Sequence, residues 1–144
     1  MKIKPFILIA SLSAFLFITV MPACKKGDDD PVVSVFSRKD RFTNSWTLNK
    51  YEKNGVSQDL NGTVYTYVVY NNGTLTQTVE GSVFGFPTRK VSSGTWVFLN
   101  DDEDVKITIE GDAVIYNIQR LASKELWIKK TVNSDIYLYY FTGL

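Results

Sequence analysis

Few residues in this sequence can perform covalent or acid–base chemistry. It contains one cysteine, Cys24, and no histidine, so neither a Ser-His-Asp nor a Cys-His nucleophile can form. Carboxylates cluster at Asp28–Asp30 and Asn100–Asp104. The second cluster has oxygen ligands for calcium but lacks the glycine and spacing of a calcium loop, so we interpret it as a solvated turn. We expect no enzyme activity, no metal site and no cofactor.

Cys24 follows a segment with the pattern of an export signal. Lys2 and Lys4 precede the uncharged run Phe6–Met21, and Ala23 lies directly before Cys24. A positive start, an apolar centre and a small residue at the cleavage site are typical of a signal peptide. The sixteen uncharged residues are fewer than the ~20 that span a bilayer, although an uncleaved anchor is the alternative. We predict that residues 1–23 are removed.

The segment Met21-Pro22-Ala23-Cys24 resembles the lipobox of bacterial lipoproteins. The resemblance implies that Cys24 becomes the mature N-terminus and carries acyl chains, including palmitate, which together anchor the protein stably. The following residues 24–40 form a predicted flexible, acidic tether. Its aspartates resemble the export signal of Bacteroidetes surface lipoproteins, and Lys25 after the cysteine argues against inner-membrane retention. The expected location is the outer membrane, at the cell surface or the periplasmic face.

Residues 41–144 show the pattern of a single all-β domain. From Ser45 onward, short apolar segments alternate with turn signals roughly every 8 to 12 residues, as in sandwiches and barrels. We predict strands near residues 45–53, 63–70, 74–80, 89–99, 104–110, 113–121, 124–132 and 135–142. Short loops make these a meander, and a meander of eight strands most naturally closes on itself. The expected fold is a single up-and-down, eight-stranded antiparallel β-barrel, with Gly111-Asp112 as its tightest hairpin.

Alternation within strands predicts which side chains face the lumen. Polar neighbours decide the face in several strands, but residues 136–141 are apolar on both faces. There we take Ile136, Leu138 and Tyr140 as inward, which leaves Tyr137, Tyr139 and Phe141 to meet residues 32–42 or a partner. Tyr116 and Tyr140 are expected to orient a polar head group. The predicted ligand-binding residues are Trp46, Leu48, Val97, Ile107, Tyr116, Ile118, Leu126, Ile128, Leu138 and Tyr140.

Four short segments together resemble the lipocalin-like small lipoproteins of the Bacteroidetes type. They are Asn44-Ser45-Trp46-Thr47-Leu48, Gly94-Thr95-Trp96, Tyr116-Asn117-Ile118 followed by Leu121, and Leu126-Trp127-Ile128. The resemblance implies a barrel that binds a small apolar or amphipathic molecule in its lumen.

A second function, the alternative to the binding barrel, is also compatible with a lipid-anchored barrel. A protein- or glycan-interaction module, such as an inhibitor, an adhesin or an accessory subunit of a surface complex, would have a filled barrel and use its loops and aromatic residues. The expected partners are therefore the membrane, through lipidated Cys24, and either a small hydrophobic ligand or a surface protein. The 16 basic and 15 acidic residues give no reason to expect nucleic-acid binding. A cavity of several hundred Å³ favours the ligand carrier.

Overall fold

The computed structural model describes residues 34–144, which form a closed antiparallel β-barrel. The predicted signal peptide, Cys24 and most of the predicted tether lie outside these residues. The described elements are α1 (Arg38–Phe42), β1 (Ser45–Lys53), β2 (Val56–Gln58), β3 (Val64–Val69), β4 (Thr74–Val83), β5 (Phe86–Leu99), β6 (Asp104–Ile109), β7 (Asp112–Leu121), β8 (Glu125–Val132) and β9 (Asp135–Gly143). No helix in this part of the chain has the length and apolar character needed to cross a membrane.

Apart from β2, the strands lie side by side in sequence order, and β1 pairs with β9 to close the barrel. The prediction of an all-β, up-and-down, eight-stranded barrel is therefore confirmed. The sequence analysis missed β2, which pairs only with Tyr51–Lys53 at the end of β1 and lies outside the barrel. Three residues are too short to produce a recognisable alternation of apolar and polar side chains.

The hairpin prediction for Gly111-Asp112 is wrong by one residue. Ile109 pairs with Asp112, so the two turn residues are Glu110 and Gly111, with φ of 52° and 93°. Positive φ at both central residues defines the type I′ turn, which favours glycine at the second position. This hairpin is also no tighter than three others in residues 34–144, whose two-residue turns are Asn54-Gly55, Phe84-Gly85 and Asn133-Ser134.

Helix α1 closes one end of the barrel. Ser37 begins the helix with a capping box, in which its hydroxyl accepts from the backbone N–H of Asp40. The Phe42 ring is 1% exposed and lies 4.8 Å from the Trp96 ring and 5.3 Å from the Phe98 ring. The Phe42 carbonyl accepts from the Trp46 indole at 2.9 Å. The end of residues 32–42 thus plugs the barrel and does not cover an outer strand face, and the predicted domain start at residue 41 falls within this helix.

The opposite end is open, and the β4–β5 hairpin projects beyond it. Pairing between β5 and β6 begins at Gly94, so residues 86–93 pair with β4 alone. At the tip, Phe84 is 97% exposed and Phe86 is 74% exposed. Phe84 also has a φ of 51°, a left-handed conformation that bulky residues adopt only at a cost. The tip is therefore both solvent-exposed and locally strained.

Candidate functional site

A cavity of about 720 Å³ occupies the open half of the barrel. The closed half is filled by packed side chains, among them Val105, Ile118 and Leu121, each of which is 2% exposed or less. The floor of the cavity is formed by Phe42 and Trp46, which also belong to that core. The lumen is thus packed at the end closed by α1 and holds a cavity toward the other end.

Tyrosines dominate the cavity wall. Six of the eight tyrosines in the sequence line it: Tyr51, Tyr65, Tyr67, Tyr116, Tyr137 and Tyr139. Strands β1, β3, β7 and β9 place them there, because each strand turns alternate residues inward. Each ring supplies apolar surface and carries one hydroxyl, so the wall suits a molecule that is mostly apolar and has a few polar groups.

Burial raises the pKa of three of these tyrosine hydroxyls. Desolvation raises the pKa of Tyr116 well above its ordinary value and raises the pKa of Tyr139 to about 12. It also raises the pKa of Tyr67, whose hydroxyl accepts a hydrogen bond from the Gln77 amide at 2.6 Å. These hydroxyls are therefore neutral hydrogen-bonding groups at physiological pH.

A lysine lies among the tyrosines. Leu126 and Ile128 of β8 line the cavity, and Lys130 continues the same face of that strand. The Lys130 ammonium lies 5.8 Å from the centre of the Tyr116 ring, 5.5 Å from that of Tyr137 and 5.7 Å from that of Tyr139. These distances are within the ~6 Å range of cation–π attraction. The rings thus hold a positive charge beside the cavity.

Three carboxylates lie at the opening of the cavity, on Asp59, Glu110 and Asp112. Glu110 accepts from the Lys90 ammonium and from the Ser92 hydroxyl, each at 2.8 Å, and these contacts lower the pKa of its carboxyl group. Within residues 34–144, no group of three or more cysteine, aspartate or glutamate side chains is arranged to hold a metal ion.

Six of the ten predicted ligand-binding residues line the cavity: Trp46, Leu48, Ile107, Tyr116, Leu126 and Ile128. Ile118 is buried at 2% exposure, but it packs in the core and is not part of the cavity wall. The role of these residues in ligand binding stays a prediction. The prediction of which side chains face the lumen is correct on β6 and β8, where polar and apolar residues alternate.

The prediction that Val97 faces the lumen is wrong. Val97 is 46% exposed, whereas its neighbour Trp96 is 7% exposed and packs with Phe98 in the core. The Trp96 indole donates to the Tyr70 carbonyl at 3.0 Å, which satisfies its polar atom inside. Burying two large rings against Phe42 removes more apolar surface from water than burying Val97 and Leu99, so the aromatic face turns inward.

The prediction that Leu138 and Tyr140 face the lumen is also wrong. Phe141 pairs with Leu48, and Tyr139 pairs with both Tyr51 and Ile128. Tyr137, Tyr139 and Phe141 therefore line the cavity. Ile136, placed inward with Leu138 and Tyr140, is 47% exposed.

Outward aromatic residues on β9 are accommodated by neighbouring strands. The Tyr140 ring lies 5.4 Å from that of Trp127, and its hydroxyl donates to Glu52 at 3.1 Å. The Lys50 ammonium lies 5.0 Å from the centre of the same ring. Cross-strand pairs of this kind stabilise an exposed sheet face without a covering segment. The outward aromatic residues of this face are therefore stabilised without contact to residues 32–42 or to a partner.

The sequence analysis missed most of the polar cavity wall. Tyr65 and Tyr67 lie on β3, where apolar residues occur on both faces, so alternation alone gave no direction. Gln77 gives an indication of the face on which Tyr67 lies, because the two residues pair across β3 and β4 and their side chains form a hydrogen bond. Residues paired directly across neighbouring strands share a face.

The chain matches no protein-family model, and no curated protein matches its sequence. The barrel geometry is consistent with a lipocalin-like fold.

Proposed function

We propose that this barrel binds one small apolar or amphipathic molecule in its lumen. The observation that carries the proposal is the cavity of about 720 Å³ inside the barrel. Ligand pockets generally measure about 300–1,000 Å³ and combine apolar walls with a few polar groups. An eight-stranded barrel whose side chains filled the lumen would have left no such space.

The wall is suited to a ligand with an apolar body. Its deep end presents Phe42, Trp46, Leu48 and Leu126, tyrosines line much of the remaining wall, and Lys130 lies beside three of them. Burying apolar ligand surface against the deep end supplies affinity at ~25 cal/mol per Å² before the costs of association. The tyrosine hydroxyls then orient the polar end.

The interaction module with a filled barrel is less well supported. A filled barrel was the feature that favoured it, and a cavity of this size is the opposite result. We therefore place the ligand carrier first.

We further propose that the protein is anchored to a membrane through acylated Cys24. The support is the order of charged, apolar and small residues before Cys24 and the resemblance to a lipobox. Under this proposal the barrel is held at the outer membrane, at the cell surface or the periplasmic face.

Ligand binding is tested by calorimetric titration of residues 25–144, which contain the complete barrel, its closing helix and its core. Thermal unfolding first establishes that this lipid-free version is folded. We expect a twelve-carbon fatty acid to bind at one site. Ile107→Trp fills the cavity and should weaken binding at least tenfold. The matched control Thr108→Trp adds the same side chain to the outer face of β6 and should leave affinity unchanged.

Two outcomes contradict the binding proposal. One is the absence of binding by fatty acids, retinoids and haem-like probes alike. The other is an equal loss of affinity in both tryptophan variants, which would place the ligand outside the lumen.

The anchor is tested in the full chain. Mass spectrometry of the membrane fraction should find acyl chains on Cys24 and no residues before it, and Cys24→Ser should release the protein from the membrane. Retention of the Cys24→Ser protein would point to an uncleaved apolar segment as the anchor.

A further inference from the structure

The charge of Lys130 is held near the cavity without being neutralised. Its ammonium contacts the three rings of Tyr116, Tyr137 and Tyr139 at 5.5–5.8 Å. Among residues 34–144, it forms no ion pair with a carboxylate. Lys50, Lys53 and Lys90, in contrast, each pair with an acidic side chain. Cation–π contacts fix the position of a lysine but leave its charge available to an anion.

Neutral hydrogen-bond donors lie beside this charge. The Tyr116 and Tyr139 rings are 6.0 Å apart, and both line the cavity. Neither hydroxyl forms a hydrogen bond with another residue in the described part of the chain. Their raised pKa values keep both hydroxyls protonated, so each retains a proton to donate. One ammonium and two phenol donors make a site that favours an acceptor-only group.

We propose that the ligand of this cavity is an anionic amphiphile, whose carboxylate meets Lys130 and the hydroxyls of Tyr116 and Tyr139 while its apolar chain points toward Trp46. This inference rests on the proposed function and specifies its ligand class. A carboxylate accepts several hydrogen bonds at once, and hydrogen bonds to charged groups are the stronger ones.

The carboxylates at the opening do not cancel this preference. Glu110 is already paired with Lys90 and Ser92. Asp59 accepts from the backbone N–H of Asn61 at 2.8 Å. Asp112 begins β7, four residues before Tyr116, which is about 13 Å along a strand. The Lys130 ammonium, in contrast, lies within 6 Å of the centres of both tyrosine rings.

The test compares three twelve-carbon probes with different heads. Dodecanoate, dodecanol and dodecylamine are titrated calorimetrically into residues 25–144 at neutral pH. We expect dodecanoate to bind at least tenfold more tightly than dodecanol, which matches the value of one charge-assisted contact, and dodecylamine to bind most weakly. The equal chain lengths keep the apolar contribution constant.

Two lysine variants assign the preference to one side chain. Lys130→Met keeps the length of the side chain and removes its charge, so affinity for dodecanoate should fall to that for dodecanol. Lys129→Met removes the same charge from the next residue, which lies on the outer face of β8, and should retain the tenfold preference. Lys130→Gln should reproduce the loss, which separates the effect of charge from that of packing.

The outcomes separate this inference from the proposed function. Equal affinity of the unmodified protein for dodecanoate and dodecanol, or a preference that survives in Lys130→Met, overturns the anionic ligand but leaves lumen binding intact. Failure of all three probes to bind overturns both.

Discussion

Gly94 should not tolerate even a methyl group. A Cβ added there would lie 2.4 Å from the backbone oxygen of Thr108, 2.9 Å from Cγ1 of Ile109 and 3.2 Å from Cδ1 of Leu75. Gly94 has no positive φ, so the obstacle is steric and comes from the facing backbone of β6. Glycine within a strand marks such close approaches. We therefore expect Gly94→Ala to destabilise the barrel.

The magnitude follows from the overlap. Optimal non-bonded carbon contacts are about 3.5–4.0 Å, so β6 must move away by about 1 Å. This movement weakens one or two ladder hydrogen bonds, each worth ~0.5–1.5 kcal/mol, and strains the packing by ~1–3 kcal/mol. Alanine restricts the unfolded chain and returns ~0.4–1 kcal/mol. We expect Gly94→Ala to lower the free energy of unfolding by about 2–3 kcal/mol.

Gly81→Ala is the matched control. Gly81 also lies in a strand without positive φ, but its added Cβ would come no closer than 3.5 Å to any atom. The substitution should be neutral or stabilising by up to ~1 kcal/mol. With a urea m-value of roughly 1–3 kcal/mol per M, the unfolding midpoints of the two variants should differ by about 1 M or more. Equal midpoints would refute the steric argument.

Three further predictions concern stability. Burial raises the pKa of Tyr116 and raises that of Tyr139 to about 12, whereas unfolded tyrosines ionise near pH 10. The stability that these two tyrosines contribute should therefore be fully present below pH 10 and fall as the pH rises toward 12. Urea midpoints at pH 8, 10 and 11 check this, and Tyr116→Phe should reduce the slope. Phe84 has a left-handed backbone conformation and a side chain that is almost fully exposed. Phe84→Asn should therefore raise the free energy of unfolding by up to ~1 kcal/mol and raise the melting temperature; a lower melting temperature would contradict this. Phe42→Ala should cost ~3–5 kcal/mol, which unfolding in urea measures.

The barrel itself could be predicted from the sequence because local signals repeat. Turn residues with positive φ recur between the strands, and β6 alternates strictly between apolar and polar side chains. Short connections leave few topologies other than a meander. The boundaries of the β4–β5 hairpin were less accessible: the glycine and proline around residues 81–87 indicated a loop, but the paired strands continue to Val83 and resume at Phe86.

The inward face of β5 and β9 could not be predicted, because both strands carry apolar side chains on both faces. Side-chain volume decides β5, where Trp96 and Phe98 fill the closed end beside Phe42. Register decides β9, and register depends on how β1 and β9 meet when the barrel closes. That pairing contains a shift between Leu48 and Lys50, which no pattern within either strand reveals.

The same closure explains why the polar half of the cavity escaped prediction. Tyr139 pairs with Tyr51 of β1 and with Ile128 of β8, and its ring lies 6.0 Å from that of Tyr116 on β7, the strand beyond β8. Alternation along β8 places Lys130 on the face of Leu126 and Ile128, but only the closed barrel brings three tyrosine rings around it. Apolar cavity residues can be predicted from the alternation of apolar and polar side chains within one strand. The orientation of polar cavity residues depends on their neighbours on other strands, so the chemistry of the cavity is a property of the closed barrel.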